Sequence, residues 1–172
     1  MSTTQPGGAL ERAAARDFGC ARTECPYLHA QARQDGVRCV GQTFVAVEPD
    51  AEAPKPVAGY FTLTASSVEL ERRPLEARHV LPRYPQVPVA LIGRLAVASD
   101  RQGRGIGAFL LVDAMRRILQ ASHEIGISMI VVVALDKDAA RFYMRYGFVG
   151  LPATPQRLVL PLAVFEREFT TR

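Results

Sequence analysis

Three glycines at alternate positions, set between an apolar run and an amphipathic run, constrain this chain more than any other feature. The apolar run is Pro88–Val97, and a helical pattern covers Gly107–Ser122. Gly103, Gly105 and Gly107 allow backbone conformations that other residues avoid, and they let a bulky group come close. Such a turn directs several N–H groups toward one point at the positive end of the following helix. The sequence therefore predicts a strand–loop–helix unit that binds an anion, most simply a phosphate or pyrophosphate.

Four interpretations of the glycine loop depend on the same residues. A P-loop needs Lys and then Ser or Thr after its last glycine, and Ala108-Phe109 stand there instead. Gly103-x-Gly105-x-x-Ala108 fits the loose fingerprint of a dinucleotide site, but too little chain follows for a second mononucleotide-binding half. A simple tight turn does not need three glycines. A loop for the pyrophosphate of a coenzyme A thioester remains, although the glycines alone do not separate it from a dinucleotide site.

The other segments alternate between strand and helix patterns. Residues 1–8 are polar and rich in Gly and Pro, and we expect them to be disordered. The fold class is α+β: antiparallel strands come first, and a βαβ half with a mixed sheet follows, all in a single domain over residues 1–172. The predicted helices and strands outside the glycine unit are helices Leu10–Arg16, Pro26–Gln34 and Lys137–Arg145, and strands Gln42–Glu48, Val57–Val68, Ile127–Leu135, Phe148–Gly150 and Arg157–Pro161.

Composition narrows the class of protein. The chain has 172 residues, 48% of them hydrophobic and 22% charged, which is ordinary for a globular domain. Its apolar runs are too short to cross a bilayer, and we expect no signal peptide. The three cysteines cannot all pair, so a reduced, cytoplasmic setting is expected, and their spacing fits no metal site. The net charge is +4 and nearly all of the positive side chains are arginine, which fits either phosphate binding or a GC-rich genome.

Two motifs, in this order, resemble the GNAT N-acetyltransferases. The first is QGRGIG (102–107) after LIGRLAV, which resembles the acyl-CoA loop of that family. The second is ALDKDAARFYMRYGF (134–148), which resembles the strand and helix that follow the loop. The resemblance implies a central mixed sheet flanked by helices, with an antiparallel N-terminal half and a βαβ half that binds acetyl-CoA.

A closer resemblance is to the GNAT toxins of bacterial type II toxin–antitoxin modules. It adds FGC (18–20), GYFTL (59–63) and the closing TPQRLVLPL (154–162) to the two motifs. It implies acetyl transfer from acetyl-CoA to the free α-amino group of aminoacyl-tRNA, which blocks translation. It also implies a ribbon-helix-helix antitoxin as partner and a homodimer. The alternatives are a GNAT enzyme for a small-molecule amine or a protein N-terminus, and an inactive acyl-CoA sensor.

The resemblance assigns roles to individual residues. Tyr143 is the general acid that protonates the leaving thiolate; without the motif, it would read as a core aromatic beside Phe142. Main-chain groups of the strand before the loop serve the pantetheine arm, and one N–H there polarises the thioester carbonyl. Backbone N–H groups of the loop hold the pyrophosphate. The expected cofactor-binding residues are Leu95, Ala96, Val97, Gln102, Gly103, Arg104, Gly105, Ile106, Gly107, Ala108, Asp136 and Phe142.

Two parts of the chemistry are less defined by the sequence. The strand before the loop has no acidic residue, so Glu69, Glu71 and Asp136 are base candidates by exposure alone. An aminoacyl ester amine is acidic enough to need only water or a weak base. Arginines near the loop in sequence are candidates for tRNA phosphates, or form an ordinary solvated surface; an arginine inside an apolar strand is either buried with a partner or lines the site. These tRNA candidates are Arg78, Arg83 and Arg94.

Overall fold

The computed structural model describes residues 3–6, 27–28, 30–48, 51–52, 55–69, 86–151 and 154–170. Tyr27, Leu28 and Ala30 are helical and precede the first continuous helix. A short 3-10 turn covers Ser99–Arg101. The elements are β1 (Thr3–Pro6), α1 (Ala32–Val37), β2 (Gln42–Val47), β3 (Val57–Glu69), β4 (Gln86–Val97), α2 (Ile106–Ser122), β5 (Met129–Val133), α3 (Lys137–Met144), β6 (Val149–Leu151), β7 (Thr154–Pro161) and α4 (Leu162–Thr170).

The chain forms two compact units. Unit 1 contains residues up to Thr64 together with Gly93–Ala114, and unit 2 contains Ala65–Ile92 together with Met115 onward. Long strands β3 and β4 therefore contribute one segment to each unit. The prediction of a single domain over 1–172 stays a prediction.

Unit 1 has the strand order β1-β2-β3-β4. Its pairing is antiparallel: β1 with β2, β2 with β3, and β3 with β4, where Ala98 contacts Ala58 and Arg94 contacts Thr62. Alternate residues of β2 and of β4 pack with the helical segment, whereas β3 contributes Val57 and Tyr60 because its register with β2 shifts between Ala46 and Val47. The resulting core holds Tyr27, Leu28, Ala32, Val45, Val47, Val57, Tyr60, Ala96 and Ala98.

The expectation of disorder over residues 1–8 is wrong for Thr3–Pro6. These residues form β1, and Thr3 to Pro6 pair with Val47 to Phe44 of β2. The reason is that a strand at a sheet edge is held by backbone hydrogen bonds, which polar residues supply as well as apolar ones. The predicted helix Leu10–Arg16 lies outside the described residues.

Unit 2 has the strand order β3-β4-β5-β7-β6. β4 and β5 are parallel, and the connection between them contains α2, as a parallel pair requires. Met129, Ile130, Val131 and Val132 of β5 are all buried, which accounts for its continuous apolar sequence. β7 is antiparallel to both β5 and β6, so the sheet is mixed and the α+β class is confirmed.

The main departures from the predicted elements lie near the C-terminal end. β5 is shorter than Ile127–Leu135, and β7 begins three residues before Arg157. Helix α4 was not predicted, because it starts directly after a strand with no polar capping residue before it. Its first residue, Leu162, donates its N–H to the Ser128 carbonyl at 3.0 Å, and Leu162 and Phe165 are buried. Tertiary packing therefore replaces a local start signal.

No helix in the described part of the chain combines the length and apolar character needed to span a membrane.

Candidate active site

Two of the three loop glycines have the conformation that the sequence predicts, whereas Gly107 lies in the first turn of α2. Gly103 and Gly105 have φ values of 76° and 79°, in the left-handed region. A Cβ at either position would meet nothing within 4 Å, so it is backbone conformation and not space that requires glycine. Phe109 donates its N–H to the Gly105 carbonyl at 3.0 Å, which starts α2. The backbone N–H groups of the residues just before Phe109 have no partner within α2, as at the start of any helix. They lie at the positive end of the α2 dipole, next to the glycine loop, where an anion is favoured.

Three contacts hold the start of the loop. Arg101 donates its backbone N–H to the Ala98 carbonyl at 2.9 Å, and the Gln102 side chain reaches the Val97 carbonyl at 3.5 Å. The Arg101 guanidinium forms an ion pair with Glu48, at the end of β2. Glu48 received no role from the sequence, because a long-range ion pair leaves no local signal. The loop itself, from Gln102 to Gly105, is exposed.

Strand β4 leaves part of its backbone outside the parallel ladder. The described pairing with β5 ends at Ile92↔Val132, while β4 continues to Val97. Ala98 donates to the Ala58 carbonyl, so backbone groups of even-numbered residues here point toward β3. By the same alternation, N–H and C=O groups of Leu95 and Val97 point to the other side. These two residues therefore have the orientation expected for main-chain binding of an extended ligand.

Ala96 differs from its two neighbours. Its carbonyl lies 2.7 Å from the point where a Cβ on Gly59 would be, so that oxygen faces β3. Gly59 is needed because this close approach, and Leu110 at 2.8 Å, leave no room for a side chain. The side chain of Ala96 belongs to the core of unit 1. Its backbone orientation gives Ala96 a packing role, and a cofactor-binding role for it stays a prediction.

Helix α3 positions Tyr143 in unit 2. Asp136 caps the helix, accepting the Ala139 N–H at 2.7 Å. At the other end Gly147 has a φ of 86°, and the chain turns so that Phe148 donates its N–H to the Tyr143 carbonyl at 3.4 Å. This cap and this turn match the expectation for the second motif.

The Tyr143 ring is packed by aromatic neighbours. Its centroid lies 5.2 Å from that of Phe142 and 5.7 Å from that of Phe148, in tilted or edge-on contacts. The side chain of Tyr143 is 8% exposed and Phe148 is 2% exposed. Phe142 also packs against Tyr146 at 5.3 Å. The aromatic α3 cluster, defined as Phe142, Tyr143, Tyr146 and Phe148, therefore restricts the orientation of the Tyr143 ring.

Arg94 has a partner that the sequence did not identify. Its guanidinium lies over the Tyr27 ring, 3.8 Å from the centroid, and Tyr27 in turn stacks on Tyr60 at 6.3 Å. The backbone N–H of Arg94 donates to the Thr62 hydroxyl at 3.0 Å. Arg94 is therefore half-buried against an aromatic partner, and a place for it in the lining of the site stays a prediction. Contact between Arg94 and tRNA stays a prediction.

Several groups act on the Tyr27 hydroxyl. Burial is the largest and raises the pKa of Tyr27 above its ordinary value of 10.0. A hydrogen bond with Asp35 and the charge of Asp35 also raise the pKa, whereas the nearby Thr43 hydroxyl and the charge of Arg94 lower it. The Thr43 oxygen is fully buried and makes no hydrogen bond of normal geometry within the described residues. Tyr27 is therefore neutral and a hydrogen-bond donor at physiological pH.

The remaining predicted groups are placed as follows. Arg78, Arg83 and Glu71 lie outside the described residues. Glu69 is exposed and accepts a hydrogen bond from Gln86 at 3.3 Å. Arg104 is exposed in the loop. Among the described residues no three His, Cys, Asp or Glu side chains group together as metal ligands would.

Comparison with known proteins identifies the family. The sequence model of the acetyltransferase (GNAT) domain matches residues 40–150. A tRNA-acetylating toxin of Mycobacterium tuberculosis is 40% identical over 104 residues. That match spans 60% of this chain and 61% of the mycobacterial protein, which is less than two thirds of its length.

Solved structures of the toxin AtaT are similar along almost the whole chain. AtaT complexed with acetyl-methionyl-tRNAfMet is 25% identical with a TM-score of 0.86, over 98% of this chain and 99% of that one. AtaTR bound with acetyl-CoA is 26% identical with a TM-score of 0.82, over 98% of both chains. An AtaT mutant bound to the C-terminus of its antitoxin AtaR is 26% identical with a TM-score of 0.81, again over 98% of both. With the glycine loop and the α3 segment in family order, the chain belongs to the GNAT acetyltransferases.

Proposed function

We propose that this protein is a toxin that transfers the acetyl group of acetyl-CoA to the α-amino group of aminoacyl-tRNA and so blocks translation. The observation that carries the proposal is the left-handed glycine loop at the start of α2, in a chain 40% identical over 104 residues to a tRNA-acetylating toxin. AtaT, similar over nearly the full length, is solved with an acetylated aminoacyl-tRNA and in a complex with acetyl-CoA.

The loop and β4 hold acetyl-CoA. N–H groups from Gln102 to Ala108 bind the pyrophosphate at the positive end of α2, with Arg104 as the nearby exposed cation. Main-chain groups of Leu95 and Val97, which point away from β3, bind the pantetheine arm. One N–H of this segment polarises the thioester carbonyl, where negative charge develops.

Tyr143 completes the chemistry as general acid. The neutral amine nitrogen attacks the thioester carbonyl carbon, so that a C–N bond forms and the C–S bond breaks. The sulfur leaves as a thiolate and takes the phenolic proton of Tyr143. The proton lost by the amine goes to water, and solvent restores the proton of Tyr143. Holding both reactants in one site supplies much of the remaining rate.

An antitoxin and a second copy of the chain are further partners in this proposal. AtaT is solved with the C-terminus of its antitoxin AtaR, which supports an antitoxin here. We assign it to the ribbon-helix-helix class and the active form to a homodimer, from the resemblance to type II toxins. Aminoacyl-tRNA is cytoplasmic, so we place the protein in that compartment.

The test is to incubate the purified protein with acetyl-labelled acetyl-CoA and total charged tRNA. We expect label on the amino acid of one or a few aminoacyl-tRNAs, and none on uncharged tRNA. The Tyr143→Phe variant, which keeps the fold, is the matched control and transfers far less label. Label on a small amine or a protein N-terminus, with none on tRNA, would establish the alternative function instead.

A further inference from the structure

The ion pair between Arg101 and Glu48 joins two distant parts of unit 1. Arg101 ends the 3-10 turn directly before Gln102, and Glu48 follows the last residue of β2, 53 positions earlier. The Arg101 side chain is 19% exposed and that of Glu48 is 48% exposed, so the pair is partly shielded from solvent. Shielding reduces the screening that makes fully exposed pairs weak. The contact therefore fixes the entrance of the glycine loop against the sheet.

Among the described residues, few other side-chain contacts restrain the loop. The Gln102 side chain reaches the Val97 carbonyl at only 3.5 Å, the upper limit for a hydrogen bond. Both left-handed glycines stand in open space, because a Cβ added to either would meet no atom within 4 Å. Asp100 lies 3.6 Å from the Arg101 guanidinium, but it is the adjacent residue and 75% exposed, so it adds no long-range restraint. Glu48 is thus the long-range side-chain anchor described for this turn.

The same pairing bears on how the loop attracts an anion. A guanidinium bound to a carboxylate is electrically neutral as a pair and has part of its donor edge occupied. Arg101 is therefore a poor choice as the cation for a coenzyme A phosphate, and the N–H groups of the loop carry that role together with Arg104. Because these N–H groups act only when they converge, their affinity depends on the loop being held in place before the ligand arrives.

We propose that Glu48 is a positioning residue for acetyl-CoA: through Arg101 it holds the glycine loop in its anion-binding conformation. The inference rests on the proposed function, since it concerns the same loop and ligand. For the loss of the Glu48 charge, this proposal and a simple charge argument predict opposite changes in acetyl-CoA affinity. Removal of the Glu48 charge leaves Arg101 with only the exposed Asp100 as counter-ion, so the net positive charge near the loop rises, which by electrostatics alone would strengthen anion binding. Loss of the tether weakens it.

A double-mutant cycle on the full-length protein tests the proposal by calorimetric titration with acetyl-CoA. We expect Glu48→Gln and Arg101→Gln each to weaken binding on the order of tenfold, and the double variant to be no weaker than either single one. Turnover at saturating acetyl-CoA stays within about twofold of wild type, because the anchor affects binding and not the reacting atoms. Asp100→Asn is the matched control and changes affinity less than about twofold.

A second readout separates positioning from general damage to the fold. Amide exchange over residues 102–107 becomes faster in Glu48→Gln, while exchange in α3 stays as in wild type. Equal or tighter binding by Glu48→Gln overturns the proposal. So does a far larger loss in Arg101→Gln that adds to that of Glu48→Gln, because Arg101 would then contact the ligand itself. If wild type binds no acetyl-CoA, the proposed function fails together with the tether; if wild type binds and the variants match it, the tether alone fails.

Discussion

The glycine loop and the aromatic α3 cluster hold their proposed functional groups in opposite ways. The loop presents main-chain N–H groups, with exposed glycines and little packing around its tip. The α3 cluster presents one side chain, Tyr143, fixed by ring contacts on two sides and 8% exposed. Order in the loop comes from backbone conformation and a distant ion pair; order in α3 comes from packing, a cap at Asp136 and a turn at Gly147.

The difference teaches what each region tolerates. A ligand with several charged oxygens is bound by many weak donors, so a loop can lose one side chain and still work. In the proposed mechanism one atom, the Tyr143 hydroxyl oxygen, donates the proton, so the loss of that atom removes the step. We therefore expect loop variants to change affinity for acetyl-CoA, and α3 variants to change turnover or stability.

The largest effect is expected from Tyr143→Phe. The change removes the phenolic proton and keeps the ring in its contacts with Phe142 and Phe148. Turnover falls on the order of 10²- to 10⁴-fold, while acetyl-CoA affinity stays near wild type. Steady-state kinetics with charged tRNA and calorimetric titration measure the two quantities. Tyr146→Phe, in the same cluster, is the control and retains turnover. Near-normal turnover in Tyr143→Phe would remove Tyr143 from the mechanism.

Gly105→Ala tests the loop by its conformation. Gly105 has a φ of 79°, where a Cβ costs about 1–2 kcal/mol, although there is open space around it. The loop relaxes out of its anion-binding form, and acetyl-CoA affinity falls on the order of tenfold. Gly126→Ala is the matched control, because Gly126 also has open space but no left-handed φ. Similar titrations for both variants would show that the loop conformation does not determine binding.

Asp136→Ala separates a structural role from a catalytic or cofactor-binding one. Asp136 accepts the Ala139 N–H at 2.7 Å, and loss of a helix cap costs about 1 kcal/mol. For a chain of this size the melting temperature falls by about 2–4 °C. Asp138→Ala, which loses an exposed ion pair with Arg141 and an exposed first-turn charge but no cap, is the control and changes stability by less than about 0.5 kcal/mol. A large loss of turnover or acetyl-CoA affinity in folded Asp136→Ala would give Asp136 a role in the reaction.

Local signals allowed much of the fold and site to be predicted. The turn at Gly103 and Gly105, the Asp136 cap and the turn at Gly147 depend on neighbours in sequence, and the structure has all three as expected. The continuous apolar sequence of β5 indicated a buried strand, and its core residues are buried.

Long-range contacts account for what the sequence left out. The pairing of Glu48 with Arg101 and of Tyr27 with Arg94 joins residues more than 50 positions apart, and neither partner carries a local pattern. The edge strand β1 depends on the exposed side of β2, and α4 depends on a hydrogen bond from Leu162 to Ser128. The orientation of Ala96 toward β3 likewise follows from strand register, which the residue types did not determine.

The smallest effect is expected from Tyr27→Phe, which uses a second buried tyrosine as an internal check on α3. Tyr27 is 6% exposed, about as buried as Tyr143, but its hydroxyl is engaged with Asp35. Turnover stays within about twofold, and the lost hydrogen bond costs about 0.5–1 kcal/mol at pH 8.

The pH dependence of this variant has a definite sign. Because burial raises the pKa of Tyr27 above 10.0, the folded protein retains a proton that the unfolded chain begins to lose near that pH. The contribution of Tyr27 to stability is therefore complete below pH 10 and is lost as the pH rises through the folded pKa. Phenylalanine has no such proton, so the stability gap between wild type and Tyr27→Phe narrows above pH 10. Urea denaturation of both proteins from pH 8 to 11 measures the gap, and other titrating groups cancel in the difference. A stability gap that widens with pH would contradict the raised pKa of Tyr27. A loss of turnover as large as that of Tyr143→Phe would contradict the assignment of different roles to these two buried tyrosines.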